Sequence, residues 1–455
     1  MNVVAPPVDP FAEEWAAQLP AKGDKLTEDA LAQLFEQRHA TRLRYCHTAG
    51  AWYRWTGARW QQERTALAFN WAREVCREYG GGDPRLSKAA TASAVERFAA
   101  AARCFAVTSE QWDRDPWLLA TPDGTVDLRN GKLRRAEQAD CITRVAGCSP
   151  APAGTVPRRW LAFLRDATRG DAPLIGFLQQ VAGYALTGDT SEHALFLIYG
   201  AGGNGKSVFI NTLTGILGEY AQTAAMETFT ASKYDKHPAD LAMLKGARLV
   251  TASETEEGRA WAESKIKQLT GGDPISARFM RRDFFTYRPE FKLVIVGNHK
   301  PRLNNVDDST KRRFNILPFT HRPSAPNPEL EAELREEWPA ILRWMIEGCL
   351  SWQSDGLCRP GVVQEATREY FDDQDVFGQW LEECCVTGPV HQSTSSRLFA
   401  SWRRYAEAAG EDAGTAKTFS QAMRKRDFEP FRTSAVRGFK GVDLAPNQDQ
   451  ERYPF

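Results

Sequence analysis

The chain has 455 residues, with 58 Lys and Arg set against 58 Asp and Glu, so its formal net charge at neutral pH is zero. Charged residues at 25% and hydrophobic residues at 42% exclude disorder as the main state, and the length predicts roughly two to four domains. A neutral total argues against a polyanionic partner only if the charge is spread evenly.

In chain order, residues 1–25 read as a flexible tail; its start, MNVVAPPVDP, lacks the basic flank and apolar run of a targeting segment. A mixed α and β domain is predicted over 26–150. Within it, AWYRWTGARW (Ala51 to Trp60) reads as two short aromatic strands turning at Thr56-Gly57, because alternating bulky residues fit a half-buried pleat. Trp71 to Tyr79 and Ala89 to Ala106 read as helices, and Asp123-Gly124 marks a second turn. The tryptophans of this segment are expected in its core rather than on a base-stacking surface. SPAPAGTVP, Ser149 to Pro157, holds three Pro and one Gly in nine residues and reads as a linker. Amphipathic helices over Arg159 to Ala167 and Pro173 to Leu186 lead into ALFLIY, Ala194 to Tyr199, a continuous apolar run of the kind that forms a strand buried on both faces.

Directly after that run come Gly200, Ala201, Gly202, Gly203, Asn204, Gly205, Lys206 and Ser207, then Val208 at the head of a helix-forming stretch. The pattern GxxxxGK followed by Ser or Thr, between a strand and a helix, is a phosphate-binding loop. Glycines let amides turn inward around phosphates, Lys206 reaches the β and γ phosphates, and the Ser207 hydroxyl sits on a metal. ATP and Mg²⁺ are therefore the expected cofactors. A second strand, Arg248 to Ser253, ends at Glu254, which is assigned to the metal, with Glu256 as a second acid that polarises the attacking water; Glu257 reads as the opening of the next helix. A third strand, Phe291 to Val296, ends in Gly297-Asn298-His299, and Asn298 is assigned to hold the lytic water beside the γ phosphate.

The stretch from Arg248 to Leu303, with LTGGDPISAR (Leu269 to Arg278) as its most specific part, and then DDSTKRRFNILPF, resembles the superfamily 3 helicase core of phage and plasmid primase-helicases and poxvirus replication NTPases. The resemblance implies an AAA+-like α/β P-loop ATPase core with its preceding helices over 151–325, a helical lid over 326–385 and a C-terminal winged-helix DNA-binding domain over 386–455. It implies a ring, hexameric in the family, that translocates 3′ to 5′ on single-stranded DNA and opens forked DNA. Lys265, Lys267 and the Gly271-Gly272-Asp273 turn would lead into a hairpin entering the channel, and Arg312 or Arg313 would be the arginine finger, Arg312 being preferred. No segment offers the acidic cluster of a primase, so a separate primase or other replication protein is the expected partner.

Resolved along the chain, the charge is sorted. Arg259 to Arg322 holds 14 basic against 6 acidic residues, Ala325 to Val390 holds 4 against 14, and Ser393 to Ala445 holds 10 against 6. In the first segment Arg278, Arg281 and Arg282 interleave with Phe279, Phe284 and Phe285, a combination suited to single strands. In the last, Arg424, Lys425 and Arg426 close the second helix of the winged-helix order and are candidate DNA contacts. The nine cysteines form no CxxC pair, and no apolar stretch approaches the roughly 18 residues that span a bilayer. Reduced thiols, the cytoplasm of a bacterial host cell and no membrane partner are expected. Two other readings remain open at this point: a nucleotide-switched DNA-binding initiator or loader that does not unwind, and a small-molecule kinase.

Overall fold

The computed structural model describes residues 26–231, 239–253, 260–280, 283–303, 307–323, 326–434 and 436–446. The tail 1–25, Glu254, Glu256, Glu257, Arg281 and Arg282 lie outside the described residues.

The first module is built on aromatic side chains. Helix α1 (Glu28–His39), capped by the Thr27 hydroxyl, precedes strands β1 (Leu43–Cys46), β2 (Ala51–Trp55) and β3 (Trp60–Gln62), helices α2 (Leu67–Tyr79) and α3 (Ala89–Ala101), and strand β4 (Ala106–Val107). The sheet order is β3-β2-β1-β4, and Leu31, Phe35, Trp52, Val75, Val95 and Phe105 fill the core beneath it. Trp52 and Trp60 are both buried, as their alternation in the strand pair led one to expect. Helix α3 stops at Ala101 rather than Ala106. Phe105 inserts between Phe35 and Trp52, with ring centroids 5.7 and 5.5 Å away, and this anchor draws the chain out of the helix into β4.

An antiparallel meander follows, β5 (Leu118–Thr121), β6 (Gly124–Asp127) and β7 (Lys132–Arg134). Its Leu119, Val126 and Leu128, with Ala146, pack into the core of the central module, so a division at residue 150 cuts through shared packing.

The central module runs through α4 (Arg158–Ala167), α5 (Ala172–Tyr184), β8 (Leu195–Tyr199), α6 (Lys206–Leu217), β9 (Ala221–Thr223), α7 (Ala239–Ala242), β10 (Leu249–Ser253) and α8 (Glu263–Thr270). It continues with the hairpin β11 (Ile275–Ala277) and β12 (Phe285–Tyr287), then β13 (Lys292–Gly297), α9 (Asp308–Lys311) and β14 (Phe314–Pro318). Five parallel strands form one sheet in the order β14-β8-β13-β10-β9. The apolar run of β8 has a physical cause: Phe196 and Ile198 face one core, Leu195 and Leu197 the other.

Helices α10 (Leu330–Glu336), α11 (Trp338–Asp355) and α12 (Gly361–Gln374) come next. The region 326–385, read as a helical lid, is helical through α10, α11 and α12, and α11 and α12 also contribute to the two cores. Helix α11 buries Ile341, Leu342, Met345 and Cys349 in the core it shares with α5. A Cβ on Gly183 would lie 2.1 Å from the Cys349 amide nitrogen, and one on Gly348 would lie 2.1 Å from the Gln179 carbonyl oxygen, so glycine at both positions permits the close crossing. Helix α12 delivers Tyr370 and Phe371 to the second core.

The last module comprises α13 (Val376–Cys384), β15 (Cys385–Thr394), α14 (Ser395–Ala408), α15 (Ala416–Lys425), β16 (Pro430–Arg432) and β17 (Arg437–Leu444). Trp380, Leu398, Trp402, Phe419, Met423 and Phe439 give it a core of its own. Among the described residues no helix is long and apolar enough to cross a membrane.

Candidate functional site

The glycine-rich loop joins β8 to α6 at the carboxyl end of the parallel sheet, where such sheets place their ligand clefts. Local sterics demand glycine at two of its positions. A Cβ on Gly200 would sit 1.8 Å from the Phe319 carbonyl oxygen, and Gly205 adopts φ +81° with a Cβ position 2.6 Å from the Phe163 ring. Phe163 belongs to α4, so the helix before the sheet forms the floor of the loop.

Lys206 opens α6 and is 7% exposed. Its ammonium donates to the carbonyl oxygens of Gly200 at 2.6 Å and Ala201 at 2.9 Å, and to Asn298 Oδ1 at 3.0 Å. Burial lowers its pKa from the ordinary lysine value. The contact with Asn298 follows from strand order: β13 lies between β8 and β10, so its tip stands beside the loop. Asn204 is buried, donates to the His321 carbonyl oxygen at 3.0 Å, and among the described residues its Oδ1 has no hydrogen-bond partner. Ser207 is exposed at the mouth.

These groups border a cleft of about 710 Å³, also lined by Gly202, Gly203, Val208, Ser253, Pro326, Asn327, Leu330 and Glu333. Backbone amides at a helix start, an ammonium and hydroxyl oxygens make it suited to an anion carrying a hard cation. Sequence reasoning did not find Phe163 or Ser253 as parts of this cleft, whereas α10 falls within the segment read as a lid. Phe163 lay within a predicted amphipathic helix, but its partner Gly205 is 42 positions away.

The paired arginines separate clearly. Arg313 is half-buried and donates to the Ser309 carbonyl oxygen at 2.6 Å and its hydroxyl at 2.7 Å. Arg312 is exposed. Both stand at the amino end of β14, whose Phe314 pairs with Leu195, whereas the loop begins after Tyr199. A five-residue strand spans roughly 17 Å, beyond the reach of an arginine side chain back to its own loop.

Among the candidate DNA contacts, Arg278 lies over the Phe284 ring at 4.7 Å, and Phe279 stacks on Phe285. Phe279, Met280 and Phe284 are 46%, 73% and 60% exposed at the hairpin tip, whereas Phe285 is half-buried beside the second core. Lys265 and Lys267 are on α8. Lys267, a candidate DNA contact, forms an ion pair with Asp307 at 2.5 Å that fastens α8 to the cap of α9. Asp307 is exposed; slight desolvation opposes its ionisation, yet bonds from Lys267 and Thr310 hold its carboxyl down at about 2. Arg426 is likewise committed, to Asp375 and over the Phe377 ring at 4.7 Å, while Arg424 and Lys425 are exposed.

Residues 32–169 match the family described as D5 N terminal like, and residues 198–313 match a family of unknown function, DUF5906. The chain is 23% identical over 298 residues to protein L207/L206 of Acanthamoeba polyphaga mimivirus, covering 60% of this chain and 31% of that one. It is 24% identical over 321 residues to protein 022R of Frog virus 3 (isolate Goorha), covering 66% and 32%. Both bear provisional helicase names, and the chain spans about a third of the length of these curated relatives. Two apo structures of the NrS-1 C-terminal region share the fold, with TM-scores of 0.52 and 0.53 at 10% and 9% identity. They cover 92% and 91% of this chain and 100% and 99% of their own. Taken with the site's geometry, these likenesses lead to one conclusion: the chain is similar to the D5 N terminal like family over residues 32–169 and to viral proteins that bear provisional helicase names.

Proposed function

We propose that this chain is an ATP-dependent DNA helicase of superfamily 3, acting as a ring in phage or plasmid replication. The observation that carries the reading is the 3.0 Å contact between Lys206 and Asn298, which joins the glycine-rich loop to a strand tip at one cleft. In this reading the loop amides and Lys206 bind the β and γ phosphates, and Asn298 orients the attacking water. Mg²⁺ takes few protein ligands and keeps much of its water, so the Ser207 hydroxyl with phosphate oxygens fits it, and Glu254 would complete the set. The ion would neutralise charge on the transferring phosphoryl group.

Arg312, exposed at the far end of the sheet, would serve the neighbouring subunit's nucleotide and make hydrolysis depend on assembly. The hairpin tip, with Arg278 and the exposed Phe279 and Phe284, would follow single-stranded DNA in the channel. The last module would act as a winged helix, its exposed Arg424 and Lys425 holding duplex phosphates.

ATP hydrolysis measured with and without single-stranded DNA, together with strand displacement on a forked duplex, tests the proposal. DNA-stimulated hydrolysis and displacement are expected, and Arg312→Ala should lower hydrolysis about 1,000-fold. Hydrolysis that ignores DNA, with no displacement, would overturn it. DNA-stimulated hydrolysis without displacement would instead favour a nucleotide-switched loader.

A further inference from the structure

A second cleft, of about 830 Å³, separates the first module from the edge of the central sheet. Strand β3, at the edge of one sheet, and β9, at the edge of the other, both line it through Gln61, Gln62 and Gln222. Its basic residues are all arginine. Between Arg42 and Arg64 the chain carries five Arg, no Lys and one acid, Glu63. Arginine is the side chain whose planar fork matches phosphate oxygens.

The charges of this cleft divide into committed and uncommitted sets. Arg59 pairs with Glu219 at 2.5 Å, and Arg144 donates to the carbonyl oxygens of Glu219 and Lys245, so these two arginines join the modules across the cleft floor. Glu219 also accepts from the Val145 amide at 3.1 Å, and Glu63 accepts from the amides of Thr65 at 2.8 Å and Leu67 at 3.0 Å. Both acids are therefore consumed internally. Arg54 and Arg64 are exposed on the same cleft, and among the described residues no hydrogen bond or ion pair engages either guanidinium.

We infer that this cleft binds the phosphodiester backbone of single-stranded DNA, with Arg54 and Arg64 as the phosphate contacts. Gln61 and Gln62 beside them carry amides able to meet base edges without selecting one base. The site is distinct from the hairpin and from the last module, and it would hold a strand against the outer edge of the ATPase sheet. The inference rests on the helicase reading for the identity of the polyanion.

The test uses the full chain carrying Arg54→Glu and Arg64→Glu, with an oligothymidine as probe and fluorescence anisotropy read across a salt series. A control double, Arg73→Glu and Arg77→Glu, makes the same charge change on the exposed face of α2 outside the cleft. The cleft double should bind about tenfold more weakly, with a salt slope smaller by about 1.4 for two lost single-strand phosphate contacts. The control should stay within about twofold of wild type, and DNA-free ATP hydrolysis should be unchanged in both. Equal losses in the two doubles, or none in the cleft double, would overturn the site while leaving the helicase reading intact. A wild-type chain that neither binds the oligonucleotide nor hydrolyses ATP would remove both.

Discussion

Two buried lysines stand at opposite ends of one parallel sheet. Lys206, at the carboxyl end, donates to two carbonyl oxygens and to Asn298 beside an open cleft. Lys292, at the amino end, is 2% exposed; it donates to carbonyl oxygens of Thr187, Asp189 at 3.1 Å and Glu290 at 3.4 Å and lies over the Tyr184 ring at 4.6 Å. Arg248 beside it donates to carbonyls of Leu186 at 2.6 Å and Leu118 at 2.8 Å. Side-chain type and burial are alike at the two ends. What differs is access: one ammonium can exchange its carbonyl partners for a ligand, and the other is closed in by β5, β10 and the turn after α5. Burial of a charge marks a functional site only where something can replace its partners.

The largest effect should come from removing the open lysine. Lys206→Ala should lower ATP hydrolysis at least about 100-fold, since the lost donor acts on charge that develops during the reaction. Its urea midpoint should stay near that of wild type, because the carbonyls it leaves border solvent. Lys292→Ala should do the reverse: a loss of about 3 kcal/mol in unfolding free energy, with ATP affinity retained. A Lys292→Ala chain that is fully stable yet inactive would collapse the contrast.

Much of the open end was legible in the sequence, and almost none of the closed end was. The loop, its strand and its helix are contiguous from 194 to 217, so spacing alone locates Lys206. Lys292 is the second residue of FKLVIV and reads as the flank of an apolar strand; its acceptors at Thr187 and Asp189 lie more than a hundred residues earlier. The same non-local physics hid the Lys267–Asp307 pair, 40 positions apart, and the Phe105 anchor that ends α3. It also hid the cleft that Arg54 and Arg64 share with β9. Charge counts along the chain signalled a basic central segment but could not separate committed arginines from exposed ones.

A smaller effect divides Arg313 from Arg312, two neighbours that the sequence leaves equivalent. Arg313→Ala loses two bonds to Ser309, one to its carbonyl and one to its hydroxyl, and should cost about 1–2 kcal/mol of stability. Arg312→Ala removes an exposed side chain and should change stability by less than about 0.5 kcal/mol. Chemical unfolding of the two single variants measures both. A stability loss confined to Arg312→Ala would exchange their roles.

The finest test uses pH. Burial foremost, and then Arg248, pushes Lys292 down to about 7, while Asp189, Cys349 and Glu290 act in the opposite direction. An unfolded lysine titrates near 10.4. From about pH 7 to 10 the unfolded chain therefore binds more protons at this position than the folded chain does. The residue's contribution to stability rises with pH across that window, by at most about 1.4 kcal/mol per unit, and is flat below it, where both states are protonated. Other groups add slopes of their own, so the informative quantity is the gap between wild type and Lys292→Met, which retains the stem and lacks the amine. Urea unfolding at pH 7, 8 and 9 should show that gap widening by about 2 kcal/mol in favour of wild type. A constant gap would mean that the carbonyl acceptors and the Tyr184 ring keep Lys292 charged throughout, and that the closed end of the sheet holds a permanent cation.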